Sequence, residues 1–383
     1  MTGPLLSFWK NKMNFLNKLN EKEKKIIDTV LNSNNEFKNK IYLVGGVVRD
    51  LLMGKKIKDI DFLIEGSAID FAKNSNLKIK SIHEPFNTVK VEILCEEIDI
   101  ASTRIETYDY MGSLPNVIET GVKIEDDLKR RDFTINSIAY NLHSNQIIDP
   151  NFGQEDIKKG VLKILHEKSF LDDPTRILRG LDFKYRFNFE FDENTTSLIK
   201  NCLKTFNNEH LSIDRIYLTL NKIFSYSYSN KILADILNCE IYKIWQNKTD
   251  LKTSDIVELD KAKEIFNVFE QNKLYILALE SIFYIKAPFK NDFEIYEFFK
   301  NFNNVQLALY YFKTKDESAL KYLKIKNIKP EINGHDLKKL GFNEGKFIGI
   351  ILKDILKEKI LNPNAFISKQ DEIDFVLKNY SPD

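Results

Sequence analysis

Glycine is distributed so unevenly along this chain that it divides it. Of 14 glycines in 383 residues, ten lie at or before Gly180 and none falls between Leu181 and Asn333. Hairpin turns need residues that accept positive φ, which glycine does without steric cost. A long stretch without glycine and with few prolines suits helices and does not suit a hairpin-rich sheet. The strands are therefore expected in the first half, and the second half is expected to be almost entirely helical. The length exceeds one ordinary domain, so about two to four are expected.

Apolar, β-branched runs place strands at residues 41–44, 60–64, 88–94 and 97–102. Helical spacing at 15–31 predicts a helix ahead of the first strand, and 67–73 predicts another between the second and third. The segment 108–121, with Gly112, Pro115 and Gly121, reads as a loop long enough to be functional or mobile. Residues 128–140 read as the start of a helix, and 147–150 with Gly153 as a strand and its turn. The mixed region is expected to end near residue 165. Amphipathic helices follow, broken at 225–230 and near Pro288 and Pro330, and no repeat of fixed period is present. The fold class is thus α+β, a mixed-sheet head followed by helices.

Composition narrows the function classes. A net charge of +1 excludes a global basic field, so charges are read locally. Cys95, Cys202 and Cys239 have neither zinc-ligand spacing nor an even count for a disulfide framework, which fits a reducing cytoplasm. No signal-peptide-like apolar segment and no run of eighteen apolar residues is present, so no membrane partner is expected. Oligomeric state is left open.

Two neighbouring patterns carry chemistry. Tyr42-Leu43-Val44-Gly45-Gly46-Val47-Val48-Arg49-Asp50 runs from an apolar strand through a diglycine turn toward a helix, which lets backbone amides approach a polyphosphate. Lys58-Asp59-Ile60-Asp61-Phe62 follows. If Asp59 and Asp61 share a strand, their carboxylates face one side. Two hard oxygen ligands suit Mg²⁺, which favours carboxylates plus substrate phosphates over a closed protein cage. The aspartates would then hold metal while Gly45 and Gly46 hold a triphosphate. Asp99, expected on an adjacent strand, is a candidate third carboxylate to deprotonate an attacking hydroxyl or complete the metal site.

Of 57 basic residues only eight are arginine, at 49, 104, 130, 131, 176, 179, 186 and 215. In a chain so tilted to lysine, arginine belongs where a planar bidentate donor is needed, as at phosphates or base edges. Lys129-Arg130-Arg131-Asp132-Phe133-Thr134-Ile135-Asn136 offers arginines for phosphate charge, and Asp132 and Asn136, i and i+4, as partners for ribose. In Asp172-Asp173-Pro174-Thr175-Arg176-Ile177-Leu178-Arg179, Asp173 is the natural helix cap before proline. Asp173, Arg176 and Arg179 also recur every three residues, one acceptor and two forks able to match a cytosine or adenine edge. His335-Asp336 has no companion cluster for a metal phosphohydrolase and reads as a helix start.

Taken in order, these motifs resemble the class II tRNA nucleotidyltransferases, which include CCA-adding enzymes and bacterial poly(A) polymerases. The likeness covers residues 41–187, with a looser one at 333–349. The resemblance implies an N-terminal helical extension (1–34), a nucleotidyltransferase-type mixed β-sheet head (35–165), and helical neck (166–235), body (236–325) and tail (326–383). It implies phosphate contacts at Gly46 and Arg49, metal ligands at Asp59 and Asp61, nucleotide contact by Arg131 and ribose contact near Asp132. Asp173 and Arg176 would read CTP and ATP, with Arg179 nearby. One departure is plain: Asp182 stands where the family commonly has a further arginine, and Arg186 one turn on is the candidate substitute. Asp172 stands at the first template position, often glutamate. The implied partners are the tRNA acceptor end, CTP and ATP, with Mg²⁺ as cofactor. Lys321, Lys324, Lys326, Lys338 and Lys339 are candidates to meet RNA phosphates. CC-only, A-only and poly(A) addition, and a small-molecule or protein adenylyltransferase sharing the head, are the alternatives.

Overall fold

The computed structural model describes residues 15–33, 40–280, 287–343 and 345–382. The described residues form two compact units, divided between Asn247 and Lys248. In the first unit, helix α1 (Glu21–Asn32) begins where Asn20 and Glu23 cap each other's amides, and it buries Ile26, Ile27 and Val30. The helical spacing from residue 15 covers only a single 3₁₀ turn, Leu16–Lys18, before that cap.

A seven-stranded sheet follows. Its strands are β1 (Lys40–Val44), β2 (Asp61–Glu65), β3 (Lys78–His83), β4 (Thr88–Ile93), β5 (Glu96–Ser102), β8 (Ala139–Asn141) and β9 (Gln146–Ile148). Their order is β3-β4-β5-β2-β1-β8-β9, and only the β2–β5 pair is parallel. Helices α2 (Gly46–Leu52) and α3 (Ala68–Lys73) contribute Val47, Val48, Leu51, Ala68, Phe71 and Ala72 to the core on one face. There they meet Phe62, Ile64, Val89, Val91, Ile98 and Ile100. On the other face a smaller cluster covers Tyr42, Val44, Leu63 and Ala139 with Ile124 and Leu128 of helix α4 (Ile124–Lys129).

Three expectations are corrected. Asp59 and Asp61 do not share a strand, because β2 starts at Asp61 and Asp59 lies in the approach to it. Residues 108–121 are not all loop. Asn116–Thr120 (β7) pairs antiparallel with Arg104–Thr107 (β6) as a ribbon, tightened by a register shift after Ile105. The helix read at 128–140 instead ends at Lys129. Beyond it the backbone turns to residues 163–165: Thr134 N–H donates to Lys163, Leu165 N–H donates to Asp132, and Phe133 bridges Ile164. Those long-range bonds outcompete local helical ones, leaving one 3₁₀ turn at Thr134–Asn136.

Helix α5 (Gly153–Lys159) follows β9, and β10 (Val161–Leu162) pairs parallel with β11 (Glu190–Phe191). Between them lie α6 (Ser169–Asp172) and α7 (Thr175–Phe187), and then come α8 (Glu193–Thr205), α9 (Ile213–Ile223) and α10 (Ser229–Asn238). Helix α7 buries Ile177, Leu178, Leu181, Phe183 and Phe187. The break expected at 225–230 falls between α9 and α10.

The second unit, among its described residues, is helical throughout. One cluster packs Phe298, Phe299, Phe302, Tyr310 and Tyr322 edge to face or tilted. Another gathers Ile332, Leu337, Phe342, Ile351, Ile355 and Val376. His335-Asp336 does open a helix, Gly334–Lys339, in which Asn333 and Asp336 form a reciprocal cap. The break near Pro330 precedes it; the one near Pro288 adjoins residues 281–286, outside the described residues. No described helix is long and apolar enough to cross a membrane. Cys95, Cys202 and Cys239 are free thiols.

Candidate active site

A cavity of about 690 Å³ opens in the first unit, and all eight arginines of the chain line it. Of the described lysines only Lys58 and Lys222 do so. The same walls carry Gly45, Gly46, Asp59, Asp61, Asp132, Asn136 and Asp173. Twelve candidate residues were expected at a nucleotide site from sequence, and every one except Asp99 lines this cavity.

The turn after β1 makes the floor. Gly45 has φ +66°, a backbone conformation that favours glycine, and a side-chain carbon there would stand 3.1 Å from Arg131 Nη1, close enough that the end of that arginine would have to shift by a few tenths of an ångström. Gly46 carries neither constraint; a methyl group would meet Arg49 Nη2 at an ordinary 3.6 Å. Arg49 is buried. It donates through Nε to Asp50 (2.8 Å) and through Nη1 to Asn136 (2.6 Å), and lies over the rings of Phe187 and Phe183. Burial lowers its basicity, and Asp50 opposes that.

Asp59 and Asp61 open on the cavity. Although water reaches Asp61, surrounding protein strips enough solvent to raise its carboxyl above the ordinary value; Arg131 opposes the rise, while Asp99 and Asp59 add to it. Asp99 stands directly opposite Asp61 in the parallel β2–β5 register. It lines an adjoining depression instead of the main cavity, and Arg104 borders both. Among the described residues no group of three or more His, Cys, Asp or Glu side chains is arranged to hold a metal ion. Asp59 and Asp61 are two carboxylates open to the cavity, and such a pair could hold a cation that also takes substrate phosphates as ligands.

The arginine wall is organised by a residue the sequence reading passed over. Asp127, fully buried within α4, accepts from Arg130 Nη2 (2.7 Å), Arg131 Nη2 (3.1 Å) and the Arg104 amide (3.1 Å). Burial alone would raise its carboxyl, but Arg131 and Arg130 outweigh it and hold it below the usual range. Glu106 on β6 accepts from Arg104 (3.1 Å), Arg130 (3.2 Å) and Tyr108 (2.9 Å). The available signal was an acidic residue one turn before Arg-Arg, matched by a second on the ribbon.

Asp132 and Asn136 do share a side, through a 3.0 Å hydrogen bond from Asn136 Nδ2, although no α-helix joins them. The other Asp132 oxygen lies 2.6 Å from Arg179. Burial raises Asp132, and Arg179 with Asn136 brings it below the ordinary value. Asp173 accepts from Thr175 N–H (3.1 Å) and Oγ1 (2.6 Å) at the start of α7, although the N-cap position of that helix is Pro174, without a side-chain cap bond, and the second Asp173 oxygen pairs with Arg215 of α9 at 2.8 Å. Arg176 is buried and donates to Ser169, to Tyr108 (3.3 Å) and to the Arg130 carbonyl (3.0 Å). Asp172 is outside the cavity lining, with its carboxylate 3.9 Å from His166. Asp182 lines the cavity and accepts from Tyr228 (2.7 Å), while Arg186 lies on the same wall, 3.8 Å from Asp50. The ribbon tip is pinned, with Gly112 N–H donating to Leu171 and Tyr110 stacked on His210.

A cavity of arginines facing two open carboxylates across a glycine turn suits a nucleoside triphosphate. Residues 41–163 match the family described as the Poly A polymerase head domain. The A-adding tRNA nucleotidyltransferase of Halalkalibacterium halodurans is 45% identical over 168 residues, which are 41% of this chain and 38% of that protein. The chain thus spans well under two thirds of the curated relatives it matches at the head. Over the whole length it is similar to a CCA-adding enzyme solved with ATP (27% identical, TM-score 0.75, 96% of this chain and 97% of that one). The Thermotoga maritima CCA-adding enzyme bound to tRNA is similar as well (25% identical, TM-score 0.73, 96% and 98%). The head, residues 41–163, thus matches the Poly A polymerase head-domain family, and over its length the chain is similar to solved CCA-adding enzymes.

Proposed function

We propose that the protein is a Mg²⁺-dependent, template-independent tRNA nucleotidyltransferase that adds CMP and AMP, from CTP and ATP, to the tRNA 3′ end. The observation that carries the reading is the convergence of every arginine on a single cavity that also holds Asp59 and Asp61. Lysines outnumber arginines many times over, so this clustering answers a need for rigid bidentate donors at phosphates and base edges.

In this reading Gly45 and Gly46 seat the triphosphate tail with Arg49 and Arg131 beside it, and Arg186 supplies the donor that Asp182 does not. Asp132 and Asn136 orient the ribose. Asp173 and Arg176 present an acceptor and a fork to the base edge, with Arg179 closing that side, so protein side chains choose the nucleotide. Asp59 and Asp61 would hold the cation, which when bound supplies Lewis-acid stabilisation of the attacking and leaving oxygens. Asp99, opposite Asp61, accepts the proton of the primer's 3′-hydroxyl or steadies the metal-binding pair. The helical segments 166–235, 236–325 and 326–383 serve as neck, body and tail holding the acceptor end, with Lys321, Lys324, Lys326, Lys338 and Lys339 available to RNA phosphates. The cytoplasm is the compartment proposed.

A second reading, addition of A alone, is favoured by the 45% identity of the head to an A-adding enzyme. Incubation with tRNA ending at the discriminator base, at CC and at CCA, with each labelled nucleotide, separates the readings by product length. Growth by CCA on the first substrate and by A on the second supports full addition; A on the second alone supports the half-enzyme. Long A tails indicate poly(A) synthesis, and no RNA product at all overturns the proposal.

A further inference from the structure

The sheet is covered unevenly. On one face Val89, Val91, Ile98 and Ile100 are buried under α3. On the other, α4 covers β1 and β2, whereas Ser81, His83 and Asp99 are exposed and Thr88 and Lys90 half-buried. Register lines up a polar row on that open face: Ser81 opposite Lys90, Lys90 opposite Asp99, and Asp99 opposite Asp61. Three interstrand spacings make the row about 14 Å long. It leads from the proposed metal ligands in the main cavity to the edge of the sheet.

At the outer end of the row is the adjoining depression, about 380 Å³. Its wall is aromatic, with His83 and Phe86 stacked at 5.0 Å and the Arg104 guanidinium 5.0 Å above the Phe86 ring. Its rim is cationic and hydroxylic, through Lys90, Arg104, Ser81 and Thr88. Lys90 pairs with Glu97 at 3.2 Å, but the two side chains remain 38% and 56% exposed, so an RNA phosphate can share that ammonium. Flat rings beside cations are the surface on which unpaired bases stack while their backbone is neutralised. The glycine turn and all eight arginines line the other cavity, and only Arg104 reaches this one as well, so it lacks what a triphosphate needs.

We propose that this open face seats the 3′-terminal nucleotides of the RNA primer. A base lies on the His83–Phe86 wall, its phosphate on Lys90 and Arg104, and the chain's 3′-hydroxyl is delivered along the row to Asp99 and Asp61. His83, Phe86 and Lys90 are positioning residues for the primer, and they have no part in holding the incoming nucleotide. The inference rests on the nucleotidyltransferase reading above.

The test measures RNA and nucleotide binding separately in the full chain. Lys90→Ala and the double variant His83→Ala/Phe86→Ala are compared with wild type, with thermal melting as the check on folding; Lys90 is a surface residue whose loss leaves the core intact. The KM for CC-ended tRNA is expected to rise about five- to tenfold, the lower range for one lost stacking or phosphate contact, with kcat and the KM for ATP unchanged. Lys90→Ala should also reduce the slope of log affinity for RNA against log salt by about 0.7. A 4-thiouridine at the RNA 3′ end should crosslink within residues 81–104. An unchanged KM for RNA in folded Lys90→Ala, an equal rise in the KM for ATP, or crosslinks confined to other segments would overturn the inference. Crosslinking at this face by a chain that transfers no nucleotide would uphold the surface and sink the catalytic reading instead.

Discussion

Asp173 and Arg215, on different segments of the first unit, meet at 2.8 Å at the cavity wall. The same aspartate holds the first turn of α7 through Thr175. Arg215 therefore fixes the acceptor that the proposed base-reading pair depends on, and one of its nitrogens, Nη1, is buried with no hydrogen-bond partner in the structure. Arg215→Lys keeps the charge and loses the fork. It is expected to lower kcat/KM for both nucleotides about tenfold to a hundredfold, to weaken the preference for CTP and ATP over UTP, and to cost about 1–3 kcal/mol of stability. Misincorporation assays with each nucleotide, alongside denaturant melts, check both parts.

Asp61→Asn separates function from folding. Desolvation lifts the Asp61 carboxyl above its ordinary value, so ionising it is harder in the folded than in the unfolded chain. Its charge thus costs stability above the carboxylate range, and the cost vanishes as pH falls below about 4. The amide variant should melt no lower than wild type at pH 7 and converge with it in acid, while transfer activity falls by about a thousandfold or more. Calorimetry across pH with a parallel activity assay reads both.

Asp127 has the opposite sign. Arg131 and Arg130 hold its folded value below the ordinary one despite burial. The interaction is fully present above the unfolded carboxylate range and is lost as pH drops through the folded value. Asp127→Asn should therefore unfold less steeply with acid than wild type below about pH 4, while Asp127→Ala should cost about 3–5 kcal/mol at pH 7 by stranding two guanidinia. Urea titrations at a series of pH values distinguish these outcomes.

The two glycines of the turn should behave differently. Gly45→Ala forces a side chain into positive φ and against Arg131, at a cost of about 1–3 kcal/mol. Gly46→Ala meets only an ordinary contact, so its melting temperature should hold, and any loss should appear in the KM for nucleotide. Thermal melts of both variants beside their nucleotide affinities provide the comparison.

The parts of this site legible in the sequence were those written in short runs. Gly45 and Gly46, Asp59 and Asp61, and the Arg176–Arg179 helix face are local patterns, and the skew of arginine picked out all eight cavity arginines without roles. The glycine skew likewise marked the helical second half. The rest depended on long-range bonds. Residues 130–136 show helical residue types, yet their backbone pairs with 163–165, which no local propensity encodes. The ribbon of β6 and β7 was hidden because Gly112 and Pro115 suggested an open loop, while its partner strand lay before them in sequence. Arg215 meets Asp173 only after folding, so spacing does not reveal that pair, whereas Asp127 leaves a local signal in its place one turn before Arg130 and Arg131. Strand β3 reads Lys-Ile-Lys-Ser-Ile-His, whose apolar alternation breaks at Ser81, where its register also shifts, so neither it nor the open face it edges is legible as a strand in the sequence.

In the proposed site, Asp59 and Asp61 would together hold a divalent cation shared with a triphosphate seated at the Gly45–Gly46 turn. Crystals grown with CTP and manganese test it most directly through the metal's anomalous signal. A peak is expected within about 2.0–2.3 Å of carboxylate oxygens of both aspartates, bridging to the triphosphate, with the base beside Asp173 and Arg176. Well-ordered CTP elsewhere on the chain, with no ion at those oxygens, would contradict it.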